Sequence, residues 1–182
     1  MDELITILDS QGNNTGEIEL KSYAHRMGLF HATVHIWLYT KDGEILIQKR
    51  GKNKVIHPLL WDVSVAGHIG AGEEIKLAAI REIAEEIGLD IKEKELEKIG
   101  VFKSVHEHHE DLIDSEFHHT FICELQSPLK QLKKQDSEVA ALDLIFIDKF
   151  QEETENNIRL KKYVPHKTSY FHEIVKSIRT KL

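Results

Sequence analysis

"GHIGAGEEIKLAAIREIAEEIGL", residues 67–89, places three glycines within its first six positions and then commits to glutamates, alanines and isoleucines. The glycines suit a bent loop. From Glu74 the spacing predicts a helix to Ile87, which Gly88 closes in the usual carboxyl-terminal cap position. At roughly 100° per residue, Leu77, Ile80, Ile83, Ala84 and Ile87 share one broad side, while Glu82, Glu85 and Glu86 gather on the other. Carboxylates spaced i, i+3, i+4 repel one another by about a few tenths of a kcal/mol per pair, so something must offset the repulsion. Ala78 and Ala79, one turn earlier, are expected to leave space over the carboxylates for a hydrated ion and a ligand. Oxygen-rich sites of this kind suit Mg²⁺ or Mn²⁺. Acidic helix faces are more often simply solvated, and on spacing alone that is the stronger reading.

The 182 residues are enough for one domain with a real core, and 41% apolar with 30% charged residues is an ordinary globular composition. No internal repeat, low-complexity tract or Pro/Gly/Ser linker divides the chain, so one domain over 1–182 is expected, with its core at about 28–150. The single cysteine, Cys123, excludes an internal disulfide framework and points to the reducing cytoplasm. "MDELITILDS" is acidic and unlike a signal peptide, and no run approaches the ~18 apolar residues of a membrane span. A net charge of −7 argues against a nucleic-acid polymer as partner. If the ligand is nonetheless a phosphate compound, a metal must supply positive charge.

"LITILD" reads as a first strand closed by the turn-rich "DSQGNNTGE". "HATVHIWLYT" and "EILIQKR" alternate as strands joined by "KDGE", a hairpin signal because Asp-Gly readily takes positive φ. "LWDVSVAGHI", "KIGVFKSVH", "EFHHTFICEL" and "LDLIFID" are further strands. "SYFHEIVKSIRTKL" is an amphipathic helix over about 168–181 that either packs on the sheet or forms a homodimer contact. Runs of strands punctuated by a few helices indicate an α+β class with a mixed β-sheet.

The positions Gly67, Glu73, Arg81, Glu82, Ile83, Glu85, Glu86, Gly88 and Leu89 have the spacing G-x5-E-x7-R-E-U-x-E-E-x-G-U, with U aliphatic. This string resembles the signature of the Nudix hydrolases at every defined position. The resemblance implies a Nudix-type α/β/α sandwich carrying a catalytic loop-helix-loop, whose glutamates hold divalent cations against a pyrophosphate. It implies Glu82 and Glu86 as the main metal ligands and Glu85 as a further ligand or base. Glu73 and Arg81 would brace the loop through a salt bridge.

Residues 28–68, "GLFHATVHIWLYTKDGEILIQKRGKNKVIHPLLWDVSVAGH", resemble the isopentenyl-diphosphate isomerase-like branch of the same superfamily. Isomerases of that branch carry an acid/base cysteine in S-V-C-G-H. Here the stretch is Ser64-Val65-Ala66-Gly67-His68, and alanine cannot transfer a proton. The intact Arg81-to-Glu86 motif also departs from the isomerases. Asp114 and Glu116 match the branch's E-N-E carboxylates, and Glu116 is a candidate metal ligand or water-activating base. His31 and His68 match isomerase metal ligands and, in a hydrolase, are candidates to contact the substrate; His25 stands one residue off the expected spacing. Lys49 and Arg50, with Lys52 and Lys54 beyond, form either a diphosphate clamp or an ordinary hairpin surface. Leu59 stands where the branch has glycine. Segment 106–119 holds five histidines but no recognised zinc-ligand spacing. Phe30, Trp37, Trp61 and Phe117 are core residues or stacking platforms. The expected activity is hydrolysis of a diphosphate linkage in a small molecule such as a nucleoside diphosphate derivative. The alternatives are isopentenyl-diphosphate isomerisation and catalytically silent nucleotide sensing.

Overall fold

The computed structural model describes residues 2–156 and 158–182. In chain order it contains β1 (Leu4–Leu8), β2 (Asn14–Leu20), α1 (Lys21–Met27), β3 (Phe30–Tyr39), β4 (Glu44–Arg50), β5 (Trp61–Asp62), β6 (Val65–His68), α2 (Ile75–Ile87), β7 (Glu97–His109), β8 (Leu112–Glu124), β9 (Val139–Phe146), α3 (Ile147–Glu155) and α4 (Thr168–Arg179).

The alternation in β3 organises the sheet. His31, Thr33, His35, Trp37 and Tyr39 face one side; Val34, Ile36 and Leu38 face the other and are fully buried. β8 runs parallel to β3, from His31 opposite Glu116 to Tyr39 opposite Glu124, and β7 pairs with β8 antiparallel. Along its other edge β3 meets β1, then β6, then β4, all antiparallel. β2 extends the sheet from β1, and β5 and β9 extend it from β4. One parallel pair among antiparallel ones makes the mixed sheet that the sequence predicts.

Helix α2 covers one face, with Ala78, Ala79, Ile83 and Ile87 packed on Val34, Ile36, Leu38, Leu46 and Phe121. Helices α3 and α4 cover the other. Phe150, Phe171, Ile174 and Ile178 pack there on Trp37, Tyr39, Ile45 and Ile122. The result is an α/β/α sandwich, and α4 is one of its outer layers.

Several local expectations need correction. Residues 14–17, read as turn, begin strand β2; the turn itself is closed by Asp9 Oδ1, which accepts the backbone N–H of Gln11 at 2.8 Å and of Asn13 at 2.9 Å. Helices α1 and α3 were not evident in the sequence, and the strand read through Asp148 stops at Phe146. On α2, Leu77 is 54% exposed and Ala84 is exposed, whereas Ala78 and Ala79 are fully buried. The two alanines therefore let the helix approach the sheet closely instead of leaving room above the carboxylates. Leu59 has φ 62°, so it occupies the left-handed conformation that glycine takes without steric cost.

Ser64 closes a gap in the sheet. β3 and β4 are paired only at Tyr39 and Ile45, because β6 takes the place of β4 farther along β3. The fully buried Ser64 hydroxyl accepts the Leu38 N–H at 2.8 Å and donates to the Leu46 carbonyl at 2.5 Å. Ser64→Ala should leave both backbone groups unpaired and lower the unfolding free energy by about 2–5 kcal/mol. Denaturant titration checks this, and a loss below roughly half a kcal/mol would refute the bridging role.

Candidate active site

The register of three adjacent strands builds the site. The Thr33 backbone lies opposite His68 of β6 on one side and His118 of β8 on the other. The face that carries His31, Thr33 and His35 therefore also gathers Ala66, His68, Glu116 and His118. A cleft of about 380 Å³ opens here, between the amino-terminal half of β3 and the acidic edge of α2.

The glycine that begins the signature has a steric reason. A Cβ on Gly67 would lie 2.0 Å from Glu82 Cδ, so only a residue without a side chain lets β6 pass directly against that carboxyl. Glu82 and Glu86 are 8% and 6% exposed. Burial raises the Glu82 carboxyl above its ordinary value, opposed by the hydrogen bond from Arg81. Burial, reinforced by Glu82, pushes Glu86 up to about 8 although Gln48 Nε2 donates to it at 2.9 Å. Glu85 is more exposed and lines the cleft, 3.2 Å from Arg81 Nη1.

Arg81 also donates to Glu82 Oε1 at 2.7 Å and forks onto Glu73, Nε to Oε1 at 2.8 Å and Nη2 to Oε2 at 2.9 Å. Its Nη2 reaches the His68 carbonyl at 3.0 Å, and Glu73 Oε2 accepts the Gly70 N–H at 2.9 Å. The bidentate pair thus ties the loop after β6 to α2.

A second group of donors faces the first. One nitrogen each from His25, His31 and His68 and a carboxylate oxygen of Glu116 all lie within 4.8 Å of one another. His31 is fully buried. Its Nδ1 lies 2.9 Å from the Leu29 carbonyl, to which it donates, and its Nε2 has no hydrogen-bond partner among the described residues, the nearest Glu116 oxygen being 3.5 Å away. The Nε2 atoms of His25 and His68 stand 3.3 Å apart, and Asp114 Oδ1, also buried and unpartnered, is 3.7 Å from His25. Burial lowers His68 to about 3. Burial would raise Glu116, but the surrounding imidazoles, His31 first, hold it well below its ordinary value. Convergent ring nitrogens with one orphaned lone pair, beside a carboxylate, are a donor set that fits a divalent cation. The histidine-rich segment contributes only Glu116 to this set; the imidazoles come from α1, β3 and β6.

The basic candidates separate. Arg50 lines the cleft, but its Nη1 donates to Asp62 Oδ2 at 2.9 Å and its Nε to the Ile56 carbonyl at 3.1 Å. Lys54 lines the cleft and pairs with Glu138. Lys49 points to the opposite side of β4, its ammonium 5.9 Å from the Trp61 ring, and is not part of the lining. Trp37 is core, fully packed beneath α4; Phe30 and Phe117 pack on each other at 5.5 Å. Sequence reasoning did not single out His35, Asp62, His118 and His166, all of which line the cleft. Their only signal was alternation within β3 and β8 for two of them.

Fold, loop-helix-loop and buried glutamates together define the class, and the comparisons agree. Residues 29–167 match the NUDIX domain, and the chain belongs to the Nudix family. It is 30% identical to an uncharacterised Nudix hydrolase of Clostridium acetobutylicum over 97% of both chains. It is 33% identical to isopentenyl-diphosphate Delta-isomerase 2 of Photorhabdus laumondii over 67% of each chain, so the branch expected from the sequence is among its relatives. In fold it is similar to a crystal structure of a Deinococcus radiodurans protein, with TM-score 0.67, 16% identity and coverage of 88% and 97% of the two chains. Among the described residues no helix is long and apolar enough to cross a membrane.

Asp62 supports a prediction about pH. Burial raises its carboxyl, but His166, with Nε2 3.3 Å from Oδ1, and the Arg50 guanidinium outweigh this and hold it far below the usual range. The folded state therefore binds that proton less readily than the unfolded chain. The resulting stability is present in full above the ordinary carboxylate pKa of about 4 and is lost as pH falls below it. The difference in melting temperature between wild type and Asp62→Asn should be widest near neutrality and shrink toward pH 3; a constant difference would contradict the assignment.

Proposed function

We propose that the chain is a metal-dependent hydrolase of a diphosphate linkage in a small molecule such as a nucleoside diphosphate derivative. The observation that carries this reading is the burial of Glu82 and Glu86 side by side against Gly67, with Glu86 raised to about 8. Two desolvated carboxylates at one cleft wall are costly by themselves and become favourable around a cation. Glu82 and Glu86 are assigned to hold Mg²⁺ or Mn²⁺, with Glu85 beside them. A divalent cation held there would neutralise diphosphate charge and lower the pKa of a bound water.

The chain's own groups do the rest. Glu85 lines the cleft with Glu82 and Glu86 and is the most exposed of the three, which makes it the best placed to accept a proton from water. Glu116, held low among imidazoles, is a weaker base and is assigned with His25, His31 and His68 to a second cation position. Asp114 stands beside His25 of that group and is itself held by His108, whose Nε2 is 3.1 Å from Oδ2. Arg81 and Glu73 hold the loop in register with α2, while Arg50 and Lys54, paired with Asp62 and Glu138, are the cations of the β4 end that line the cleft. Isomerisation is disfavoured because Ala66 lines the cleft where a proton-transferring thiol would be needed, and Cys123 is buried on the α2 side with its thiol pushed up to about 12. The single-domain organisation over 1–182 belongs to the same proposal.

The first test is phosphate or pyrophosphate release from nucleoside di- and triphosphates, dinucleoside polyphosphates, nucleotide sugars, coenzyme A and isopentenyl diphosphate, with and without Mg²⁺ or Mn²⁺. Metal-dependent cleavage of one class is expected; tight nucleotide binding with no release under any metal would support a sensor instead. Glu86→Gln should reduce turnover by about a hundredfold or more, as expected for loss of a group that stabilises the transition state, with the melting temperature maintained. Near-normal turnover would refute the assignment. Gly67→Ala should abolish most turnover yet fold, because the atoms its methyl would meet most closely are the movable end of the Glu82 side chain. Retained activity in that variant would show that the Glu82 position is not required.

A further inference from the structure

Further along β3 and β8 the same cleft is lined by a second set of imidazoles, and the chain after α3 closes over it. His118 is fully engaged by the protein, with Thr33 Oγ1 2.8 Å from Nδ1 and Ser104 Oγ 2.7 Å from Nε2. His35 stacks on it at 4.0 Å between ring centroids. The Tyr170 hydroxyl, from α4, lies 2.8 Å from His35 Nδ1 and accepts the Trp37 indole N–H at 2.9 Å. The Tyr170 hydroxyl thereby fixes the edge of the His35 ring that carries Nδ1 and leaves Nε2 turned away from it. His35 Nε2 has no hydrogen-bond partner among the described residues, and the ring lines the cleft. His166 stands edge-on to His35 at 5.4 Å and is oriented through Nε2 by Asp62 at 3.3 Å. Its Nδ1 likewise has no partner among the described residues. Val164 and Pro165 complete this wall.

We infer that Val164–His166, with His35 beside them, form the substrate-reading wall of the cleft, His35 and His166 presenting ring nitrogens to hydroxyl groups. The group carried on the diphosphate is accordingly a sugar, alone or within a nucleoside, and not a hydrocarbon. A hydrocarbon pressed against these rings would strip water from two polar atoms without replacing their hydrogen bonds, whereas a sugar diol offers both donors and acceptors. This distinguishes the chain from its isopentenyl-diphosphate isomerase relatives at the level of the ligand as well as at Ala66. His35 and His166 are specificity-determining residues; Asp62 and Tyr170 position them.

The inference rests on the diphosphate reading above, so its test avoids turnover. Binding to the full chain with Mg²⁺ is measured by calorimetry for hydrolysis-resistant methylenediphosphonate and for its esters with adenosine, with ribose through C5, and with isopentenol. The wild type should bind the ribose and adenosine esters at least tenfold more tightly than the parent compound or the isopentenyl ester. His166→Ala and Tyr170→Phe should each remove most of that preference while weakening the parent compound less, and His166→Gln should restore part of it. Melting curves identify any variant that fails to fold, in which case the wild-type series decides. Equal affinity for the ribose and isopentenyl esters overturns the inference, as does a preference for adenosine with none for ribose, or a preference unchanged in both folded variants. A preserved sugar preference in a protein that hydrolyses nothing would sink the hydrolase reading and leave this one standing.

Discussion

The repulsion between Glu82 and Glu86, one helical turn apart and both desolvated, is the interaction to which the rest of the site is fitted. Both carboxyls are carried close to the sheet, because Ile83 and Ile87 anchor the intervening faces of α2 in the core and Ala78 and Ala79 hold the helix against it. The chain relieves the strain only in part. Arg81 answers Glu82, and Gln48 offers Glu86 a neutral amide. Burial and Glu82 together keep a proton on Glu86 up to about 8; a buried pair in this condition is poorly suited to stability alone, and it is well suited to giving up that proton for a cation and the phosphate that accompanies it.

The same economy of position operates along β3. Its cleft-facing side begins with His31, Thr33 and His35 and ends with Trp37 and Tyr39, so one strand face passes from polar site to apolar core within a few residues. Parallel pairing with β8 brings Glu116 and His118 alongside, and antiparallel pairing with β6 brings His68 from the other edge. Tyr170 sits at the boundary. Its ring belongs to the core under α4 and its hydroxyl to the site, which makes the outer helix layer part of the machinery rather than a lid on the hydrophobic face.

What was legible in the sequence was what is local in it. The helix over residues 75–87, its Gly88 cap with φ 65°, and the Glu73–Arg81 clamp all lie within one contiguous stretch; helix and cap follow from spacing and propensity, and the clamp from the resemblance to the Nudix signature. The class of sheet was legible from alternation. The imidazole group was legible only through the resemblance to the isomerases, which pointed to His31, His68 and Glu116 and left His25 one residue off the expected spacing; spacing and propensity do not show it, since its four donors come from α1, β3, β6 and β8 and only register brings them together. Nor was the division between Lys49 and Arg50 legible: neighbouring residues on a strand face opposite ways, and which of them meets the cleft depends on pairing with β5 and β9. The alanines of α2 misled because a small side chain can mean either open space or close packing, and only the burial decides. His166 carried no signal at all, lying in an irregular segment whose path over the cleft is set by the docking of α4.

The most direct test of the central claim, that the acidic edge of α2 is a cation platform, is anomalous diffraction from crystals of the protein equilibrated with Mn²⁺. The account predicts manganese bound by Glu82 and Glu86 beside Gly67. Manganese found only among His25, His31, His68 and Glu116, with Glu82 still on Arg81 and Glu86 still on Gln48, would contradict it.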